Sequence, residues 1–420
     1  MSGTTHIIGL GVAGLSAAVR LVEAGRKVAL YDGAKVAGGR CRSFHDAKLD
    51  CLIDNGNHLL LSGNKSALSY LDLLDARDEI EIANEATFAF ADLKSRERWS
   101  VTLNDGLIPW WIFNKEKSIP DVSLREYKSA LKFPFAGDKA TIASLTGDSG
   151  ALFDRFWEPM TWAVLNTTPD RASAKLMWAV LRETFAKGGS ACRPMIAKRG
   201  LSETFVDPAL AYLEKHNVKP AFNAPLKELE ISGNKITKLH IDDAVIELGD
   251  EDQIVLAVPR VQAARLLPDL SMPDGDAVIV NAHFKMAEPL APEYALPLLG
   301  LVNAKTHWIF TRGNIISLTI SAADALGLDR LSEEEFLPVL WQEVCEALQL
   351  SDGTNYETGR LIRERRATFD QSPASVVKRP KPRGAFPNLT LAGDWVDNGL
   401  PATIEGSIRS GEIAAQLVAS

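Results

Sequence analysis

The residues best suited to chemistry lie in the short stretch Leu52–His58, LIDNGNH, which follows an apolar run. It brings together the carboxyl group of Asp54, the amides of Asn55 and Asn57, and the imidazole of His58. A positioned carboxyl group or imidazole can deliver a proton to a leaving group. His58 is the favoured proton donor because its ordinary pKa lies near neutrality. The alternatives are that the cluster is an ordinary turn, or that Asp54 and Asn55 only brace the backbone next to a bound ligand.

A second candidate acid is Glu158, in the stretch FWEPMTWAVLN at residues 156–166. A charged residue directly before a proline also suits the first turn of a helix, which is the favoured alternative. The seven histidines do not cluster, and the four cysteines show no CxxC spacing. The sequence therefore predicts neither a metal site nor a disulfide framework.

The first 32 residues read as a strand, a glycine-rich turn, a helix and a second strand. In this order G-x-G-x-x-G has a physical basis: Gly9 permits the tight turn, Gly11 lets the backbone approach a pyrophosphate, and Gly14 allows close packing. Asp32 ends the second strand, where it can bind a ribose and would repel the 2′-phosphate of NADP. The cofactor-binding residues predicted here are Gly9, Gly11, Val12, Ala13, Gly14 and Asp32.

Two more segments suit a long diphosphate cofactor. Gly38–Arg40, GGR, follows the second strand and allows another close pass of the backbone. Near the other end a short apolar strand runs into Gly393–Asp394, and a helix opens at Pro401–Ile404, which makes another junction that suits an anion. The triplet DNG recurs there at Asp397–Gly399. We therefore expect the two ends of the chain to meet at one cofactor.

The order of these segments resembles the extended signature of the FAD-dependent amine oxidase and phytoene desaturase superfamily. The resemblance implies an α/β fold, with a Rossmann-type FAD-binding domain (glutathione-reductase-2-like) and an inserted α+β substrate-binding domain. The expected boundaries are 1–60, 191–264 and 385–420 for the FAD-binding domain, and 61–190 and 265–384 for the substrate-binding domain. The resemblance to this superfamily also assigns further cofactor contacts. They are Gly38, Gly39, Arg40, Asn55, Gly56, Leu226, Gly393, Asp394, Ala402, Thr403 and Ile404.

A narrower resemblance spans nearly the whole chain. The stretches that carry it are AGGRCRSF, LIDNGNHLLLSG, FWEPMTWAVLNTTPDRASA, LAVPR, ERRATFDQSP and LAGDWVDNGLPATIEGSIRSG. They are similar, in this order, to the hydroxysqualene dehydroxylase family of bacterial hopanoid synthesis. That family more commonly has Gln where this chain has Asn57, so the role of Asn57 stays open. The resemblance implies reductive dehydroxylation of 12-hydroxysqualene to squalene, with hydride passing from N5 of reduced flavin to an allylic cation-like centre.

Two other function classes share parts of this signature. An oxidative desaturase of the phytoene type, or an amine oxidase, would move hydride from substrate to FAD instead. Prenyl-binding escort proteins have the same fold and act without catalysis. The complete glycine set, with Asp32 and Gly393–Asp394, favours a retained flavin over such a binding protein.

Composition limits the partners. A formal net charge of −8 and a pI of about 5.5 argue against broad nucleic-acid binding. The sequence has no apolar run of about 18 residues and no signal-peptide pattern, so we expect a cytoplasmic protein. The resemblance implies an apolar C30 isoprenoid substrate, peripheral contact with the inner face of the cell membrane, and enzymes of the squalene pathway as candidate partners. Oligomeric state and the reductant of the flavin stay open.

Two surface segments bear on that membrane contact. The aromatic stretch GLIPWWIF, residues 106–113, is a candidate for the mouth of an apolar tunnel or for insertion into a membrane surface. The basic stretch KRPKPRG, residues 378–384, is predicted to be an exposed connector because of its prolines. Contact of this stretch with anionic lipid is the less favoured alternative.

Overall fold

The structure, a computed structural model, describes residues 3–291 and 297–420. The strands in chain order are β1 Thr4–Ile8, β2 Lys27–Tyr31, β3 Ser43–Asp46, β4 Cys51–Asp54, β5 Leu60–Leu61, β6 Ile80–Ile82, β7 Ala86–Asp92, β8 Arg98–Leu103, β9 Pro194–Ala197, β10 Pro220–Ala221, β11 Leu226–Ser232, β12 Lys235–Ile241, β13 Ala244–Glu247, β14 Gln253–Leu256, β15 Asp276–Lys285, β16 Leu298–Val302, β17 Trp308–Arg312, β18 Ile315–Ile320, β19 Thr358–Phe369 and β20 Leu389–Leu391.

The helices are α1 Val12–Glu23, α2 Lys65–Leu73, α3 Ile142–Thr146, α4 Glu158–Leu165, α5 Ala174–Glu183, α6 Asp207–Lys215, α7 Arg260–Leu266, α8 Glu333–Leu348, α9 Pro373–Val376 and α10 Ile404–Ala419. Short 3-10 segments lie at Arg77–Glu79, Trp110–Phe113, Glu126–Phe135, Phe185–Lys187 and Gly189–Ala191, and π-helical turns at Phe153–Trp157 and Ser202–Val206. Within the described ranges, no helix is both long and apolar enough to cross a membrane.

A five-stranded parallel sheet carries the two ends of the chain. Its order is β10-β2-β1-β14-β20, so strands from the start, the middle and the end of the chain lie side by side. The crossover from β1 through α1 to β2 forms as predicted, and Gly25 adopts the left-handed conformation (φ 72°) after the helix. The expected α/β fold of the Rossmann type is confirmed.

The first and last helices pack tightly against each other. A Cβ atom at Gly411 of α10 would lie 2.1 Å from the carbonyl oxygen of Ala13 in α1. The hydroxyl of Ser16 donates to the carbonyl of Ile408 at 2.8 Å. Only a residue without a side chain permits this approach, so Gly411 allows α10 to pack directly against α1.

A seven-stranded mixed sheet, of order β19-β15-β18-β17-β16-β7-β8, forms the second layer. Its strands come from both predicted inserted segments, of which residues 292–296 lie outside the described residues. Alternate residues of β15 face opposite sides: Val280 and Phe284 pack with α8, whereas Ile279 and Asn281 face a cavity. The sheet therefore forms one wall of that cavity.

Candidate cofactor and substrate site

A cavity of about 810 Å³ extends from the carboxyl ends of β1 and β2 in the parallel sheet to one face of the seven-stranded sheet. At one end it is lined by Gly11 and Asp32, and at the other by Asn281 and Thr319. Cavities of several hundred cubic ångströms are of the size that binds cofactors and small ligands. One continuous space therefore joins the predicted dinucleotide site to residues of the seven-stranded sheet.

The dinucleotide end has the features that a pyrophosphate requires. Helix α1 begins at Val12, and its N-cap Gly11 makes no side-chain cap, so the first N–H groups of the helix face the cavity. A Cβ atom at Gly11 would meet nothing within 4 Å, which leaves that space for a ligand. The carboxylate of Asp32 is held by the N–H groups of Leu10 (2.6 Å) and Ala34 (2.7 Å) at the end of β2. These residues fit FAD.

Nearly all residues predicted to bind the cofactor line this cavity. They are Gly9, Gly11, Val12, Ala13, Asp32, Gly38, Gly39, Arg40, Asn55, Gly56, Leu226, Gly393, Asp394, Ala402, Thr403 and Ile404. Gly14 lies beneath the turn instead, where a Cβ atom would come within 1.9 Å of the carbonyl oxygen of Gly9. Gly14 is therefore placed for close packing, as its position in the motif predicts, but it does not line the cavity with the other residues predicted to bind the cofactor.

An ion pair connects the front and back segments at the cavity wall. Arg40 donates to the carboxylate of Asp394 at 2.6 Å and to the carbonyl of Ala367 in β19 at 2.6 Å. Burial alone would lower the pKa of Arg40, but the adjacent carboxylate of Asp394 outweighs it and raises that pKa. A permanently charged guanidinium thus holds three distant parts of the chain around the cofactor space.

The basic stretch 378–384 is not uniformly exposed, which corrects the sequence-based prediction. Arg379 is buried, and its guanidinium donates to the carbonyls of Leu400 (2.8 Å), Asp394 (2.9 Å) and Val396 (2.5 Å). Burial lowers the pKa of Arg379 to about 10, so it stays charged at neutral pH. The prolines do form a connector, but this arginine braces the turn that contains the second DNG triplet.

Replacing Arg379 with methionine leaves three buried carbonyl oxygens without a donor. Three hydrogen bonds of about 1.5–3 kcal/mol each are lost, but the variant no longer has to bury a charged group, so we expect the free energy of unfolding to fall by roughly 2–4 kcal/mol. Denaturant unfolding of the flavin-bound protein measures this loss. The matched control is Arg383→Met on the same connector, where the side chain is exposed and the change should stay within about 0.5 kcal/mol. Equal stability of both variants would contradict the bracing role.

The other end of the cavity is apolar, and we call this part the apolar arm. Side chains from β7, β8, α4, α5, β17 and the neighbouring turns form it: Phe88, Phe90, Val101, Phe156, Met160, Ala163, Val164, Val180, Phe185, Trp308 and Phe310. The aromatic character of the 156–166 stretch is visible in the sequence, but the contribution of β7 and β8 is not. An apolar wall of this kind suits a hydrocarbon chain.

His58 lines the cavity, but not with the pKa expected of it. Burial lowers the pKa of His58 to about 4, Asp54 opposes that shift and Arg40 adds to it. The expectation of a near-neutral pKa is therefore wrong. Its imidazole is neutral at pH 7 and has no hydrogen-bond partner among the described residues. Both ring nitrogens are thus free to bind a ligand in the cavity.

The structure does not bring the other two candidate acids to the cavity. The carboxylate of Asp54 accepts from Ser43 Oγ (2.6 Å) and the N–H of Leu201 (2.9 Å) and pairs with Arg312 (3.1 Å). These contacts occupy Asp54 behind the cavity wall, in agreement with the bracing alternative. Burial and the nearby Asp154 raise the pKa of Glu158, but it starts α4 with its side chain outside the cavity lining.

A small polar cluster that sequence analysis missed lies next to His58. It consists of Asn57, Asn281 and Thr319, all of which line the cavity. Asn281 and Thr319 are opposite each other on β15 and β18, and Thr319 Oγ1 donates to Asn281 Oδ1 at 3.0 Å. Asn57 Nδ2 donates to Thr319 Oγ1 at 3.1 Å. The available signal was an asparagine inside the apolar strand VIVNAHF, since buried polar residues in such strands need a reason.

Comparison with known proteins identifies relatives over the full length. Residues 12–419 match the family described as flavin containing amine oxidoreductase. A hydroxysqualene dehydroxylase from Rhodopseudomonas palustris is 42% identical over 100% of this chain and 99% of its own length. One from Zymomonas mobilis is 40% identical over 99% of both chains.

More distant relatives are named as a desaturase and an amine oxidase, the two oxidative classes considered above. A probable zeta-carotene desaturase from Synechococcus elongatus is 22% identical over 98% of this chain and 97% of its own length. The solved structure of cyclohexylamine oxidase from Brevibacterium oxydans superposes with a TM-score of 0.73 at 14% identity, over 100% of this chain and 99% of that one. The structural likeness concerns the fold alone, whereas the sequence identity is much higher to the dehydroxylases than to the desaturase.

Proposed function

The chain belongs to the flavin containing amine oxidoreductase family and, within it, to the hydroxysqualene dehydroxylases, and we propose on that premise that it reduces hydroxysqualene to squalene with FAD. It is an FAD-dependent oxidoreductase. The observation that carries the proposal is the continuity of one cavity, in which a dinucleotide site opens directly into the apolar arm. A C30 isoprenoid fits that arm by its chemistry.

The overall reaction sets three demands on the protein. The C–O bond breaks with its electron pair on oxygen, which takes up a proton and leaves as water. Reduced FAD, when bound, supplies the hydride that completes the new C–H bond and is thereby oxidised by two electrons. The chain itself must deliver the proton, keep bulk water from the allylic carbon, and orient the substrate.

Residues of the cavity meet these demands in different ways. The apolar arm keeps water away from the reacting carbon, and its aromatic faces, such as those of Phe88 and Trp308, can stabilise positive charge there. His58 is the residue to which we assign proton delivery, at one of its free ring nitrogens. Arg40 and Asp394 hold the cofactor space in register with the arm through their ion pair.

A single-turnover experiment tests this function. Enzyme reduced in the absence of oxygen is mixed with hydroxysqualene, and flavin absorbance and squalene are followed together. We expect one squalene for each flavin oxidised, with one deuterium in the product when the enzyme is reduced in D₂O. Flavin oxidation without squalene would contradict the proposal. Desaturation of a hydrocarbon by oxidised enzyme would instead favour the desaturase alternative.

We further propose that the enzyme takes its substrate from a membrane surface through an apolar patch. The patch consists of exposed apolar side chains from the 106–113 and 124–135 segments: Leu107, Ile108, Trp110, Phe113, Leu124, Leu131 and Phe135. Trp110 is 62% exposed and Phe135 87%, which is unusual for such large side chains on a water-facing surface. An edge contact between Trp111 and Tyr127 joins the two segments into one surface.

The patch is connected to the wall of the apolar arm. Strand β8, whose Val101 lines the cavity, leads directly into the first segment of the patch. The carbonyl of Asn104 accepts from the N–H of Gly189, close to Phe185 of the arm. Residues 104–140 carry six basic and five acidic side chains, in contrast to the net charge of −8 of the whole chain. This surface therefore does not repel an anionic bilayer as the rest of the protein would.

Loss of two aromatic side chains should weaken membrane binding. In Trp110→Ser and Phe135→Ser, each substitution removes about 1.5–3 kcal/mol of apolar burial, so partitioning should fall by about tenfold or more for each. Co-sedimentation with vesicles of phosphatidylethanolamine and phosphatidylglycerol measures it. The matched controls are Ile231→Ser and Val245→Ser, exposed apolar residues on the β11–β13 sheet. Wild-type protein that stays in solution with these vesicles would contradict the proposal.

A further inference from the structure

We propose that Asn281 recognises the hydroxyl group of the substrate, with Thr319 and Asn57 as the residues that position it. This inference rests on the reductive dehydroxylation proposed above. It identifies the part of the cavity that binds the hydroxyl oxygen, which is the one polar atom of the substrate. The substrate and its product differ only at that group. A site that prefers the substrate over the product must therefore make a contact there.

The position of Asn281 is the first ground. It lies on the cavity face of β15, is 1% exposed and contacts the carbonyl of Asn55 in the 55–58 turn. Its strand partner Thr319 pairs in turn with Trp308 of the apolar arm. A Cβ atom at Gly56 would lie 3.4 Å from Asn281 Nδ2 and 3.7 Å from His58 Nε2. The two nitrogens therefore flank a small space that exists because residue 56 has no side chain. A hydroxyl group there lies within reach of both.

The second observation is that the side-chain amide of Asn281 has an N–H group without an acceptor among the described residues. Asn281 Oδ1 accepts from Thr319 Oγ1 at 3.0 Å, which orients the amide and turns Nδ2 towards Gly56. One N–H of Nδ2 makes a long contact, 3.4 Å, with the carbonyl of Asn55. The second N–H has no acceptor within the described parts of the chain. Because an unpaired donor at a buried amide costs free energy, a ligand oxygen that accepts from it is favoured.

The surrounding contacts fix the amide in place. Asn57 Nδ2 donates to Thr319 Oγ1 at 3.1 Å and to the carbonyl of Leu318 at 3.2 Å. Thr319 thus accepts from Asn57 while it donates to Asn281, so its hydroxyl hydrogen can point in only one direction. All three side chains are uncharged. A neutral donor can hold the hydroxyl oxygen without attracting water or an anion towards the developing cation.

Recognition of this kind also helps turnover. Squalene has no oxygen, so its binding leaves the N–H of Asn281 unpaired, whereas hydroxysqualene satisfies it. The product is therefore held less tightly than the substrate in the same apolar arm. One neutral hydrogen bond of about 0.5–1.5 kcal/mol corresponds to a preference of up to roughly tenfold.

The test compares the affinities of substrate and product for the oxidised holoenzyme, in which no reductant is present and no turnover occurs. Perturbation of flavin absorbance reports the Kd of hydroxysqualene and of squalene. We expect hydroxysqualene to bind up to about tenfold more tightly than squalene to wild type, and this preference to be clearly reduced in Asn281→Leu, with the Kd of squalene unchanged. A general packing defect would instead weaken both ligands.

Two further results decide the outcome. Thr319→Val keeps the shape of the side chain, so a reduced preference for hydroxysqualene is expected there even if Asn281→Leu does not retain FAD. Equal affinities in wild type, or an intact preference in Asn281→Leu, would overturn the inference. If wild type prefers hydroxysqualene but forms no squalene in single turnover, the proposed reaction is contradicted and the recognition of the hydroxyl group by Asn281 is not.

Discussion

Substitution of Gly11 with valine will give a folded protein that has lost its flavin. The backbone of Gly11 has φ −65° and ψ 174°, which a valine adopts without strain, and a Cβ atom there meets nothing within 4 Å. The side chain therefore occupies only the space in which the pyrophosphate must approach the start of α1. We expect FAD to bind at least about a hundredfold more weakly, which corresponds to about 2.7 kcal/mol. Flavin absorbance per protein measures the effect, and circular dichroism verifies the fold.

Two other glycines serve as controls for this variant. Gly137→Ala adds a Cβ atom in open space on an exposed surface, so flavin content should stay at the wild-type level. Gly14→Ala adds one within 1.9 Å of the carbonyl of Gly9, so it should damage the packing of α1 and the fold with it. Stability must be compared between flavin-free proteins, since bound FAD itself stabilises the folded state. Full flavin content in Gly11→Val would contradict the pyrophosphate site.

The cofactor half of the cavity could be predicted because its signals are local. Each glycine of the motif has a distinct local role: Gly9 has a positive φ of 96°, Gly11 leaves open space for a ligand, and a Cβ atom at Gly14 would collide with the carbonyl oxygen of Gly9. The apolar period of α1 follows directly in the sequence. Helix α10 likewise starts at Ile404, where the sequence indicates a helix after Pro401. In each case the residues that determine the local structure lie within about one supersecondary unit, so their spacing in the sequence is enough to predict it.

The substrate half of the cavity depends on contacts between residues that are far apart in the sequence. The spacing of residues in the sequence does not predict such contacts. Asn281 meets Thr319 only because β15 and β18 pair in that register, and it meets Asn57 only because the 55–58 turn packs onto both strands. Arg379 looks like a surface residue among lysines and prolines, yet the turn at Asp394–Leu400 folds over it. Burial of this kind belongs to the tertiary structure, and so do the pKa values that follow from it.

Removal of the imidazole of His58 should have the largest effect on the chemical step. A positioned general acid contributes about 10²–10⁴-fold to the rate, so His58→Ala should lose roughly that factor in single turnover. Because the pKa of His58 is lowered to about 4, only the small protonated fraction acts at neutral pH. The wild-type rate should therefore rise about tenfold for each unit of pH between about 7 and 5 as the pH falls. Rapid mixing of reduced enzyme with hydroxysqualene measures this slope, and His58→Ala should abolish it.

A loss of stability cannot imitate that pH profile. The folded pKa of His58 lies below that of the unfolded chain, so below about pH 6.5 the unfolded state binds more protons than the folded state. Stability is therefore present above that pH and is lost as the pH falls towards 4, as it is for the buried His283, whose pKa burial also lowers to about 4. Activity should rise over the range in which stability falls. If His58→Gln, which keeps a polar side chain but cannot become a cation, retains both rate and slope, proton delivery belongs to another residue.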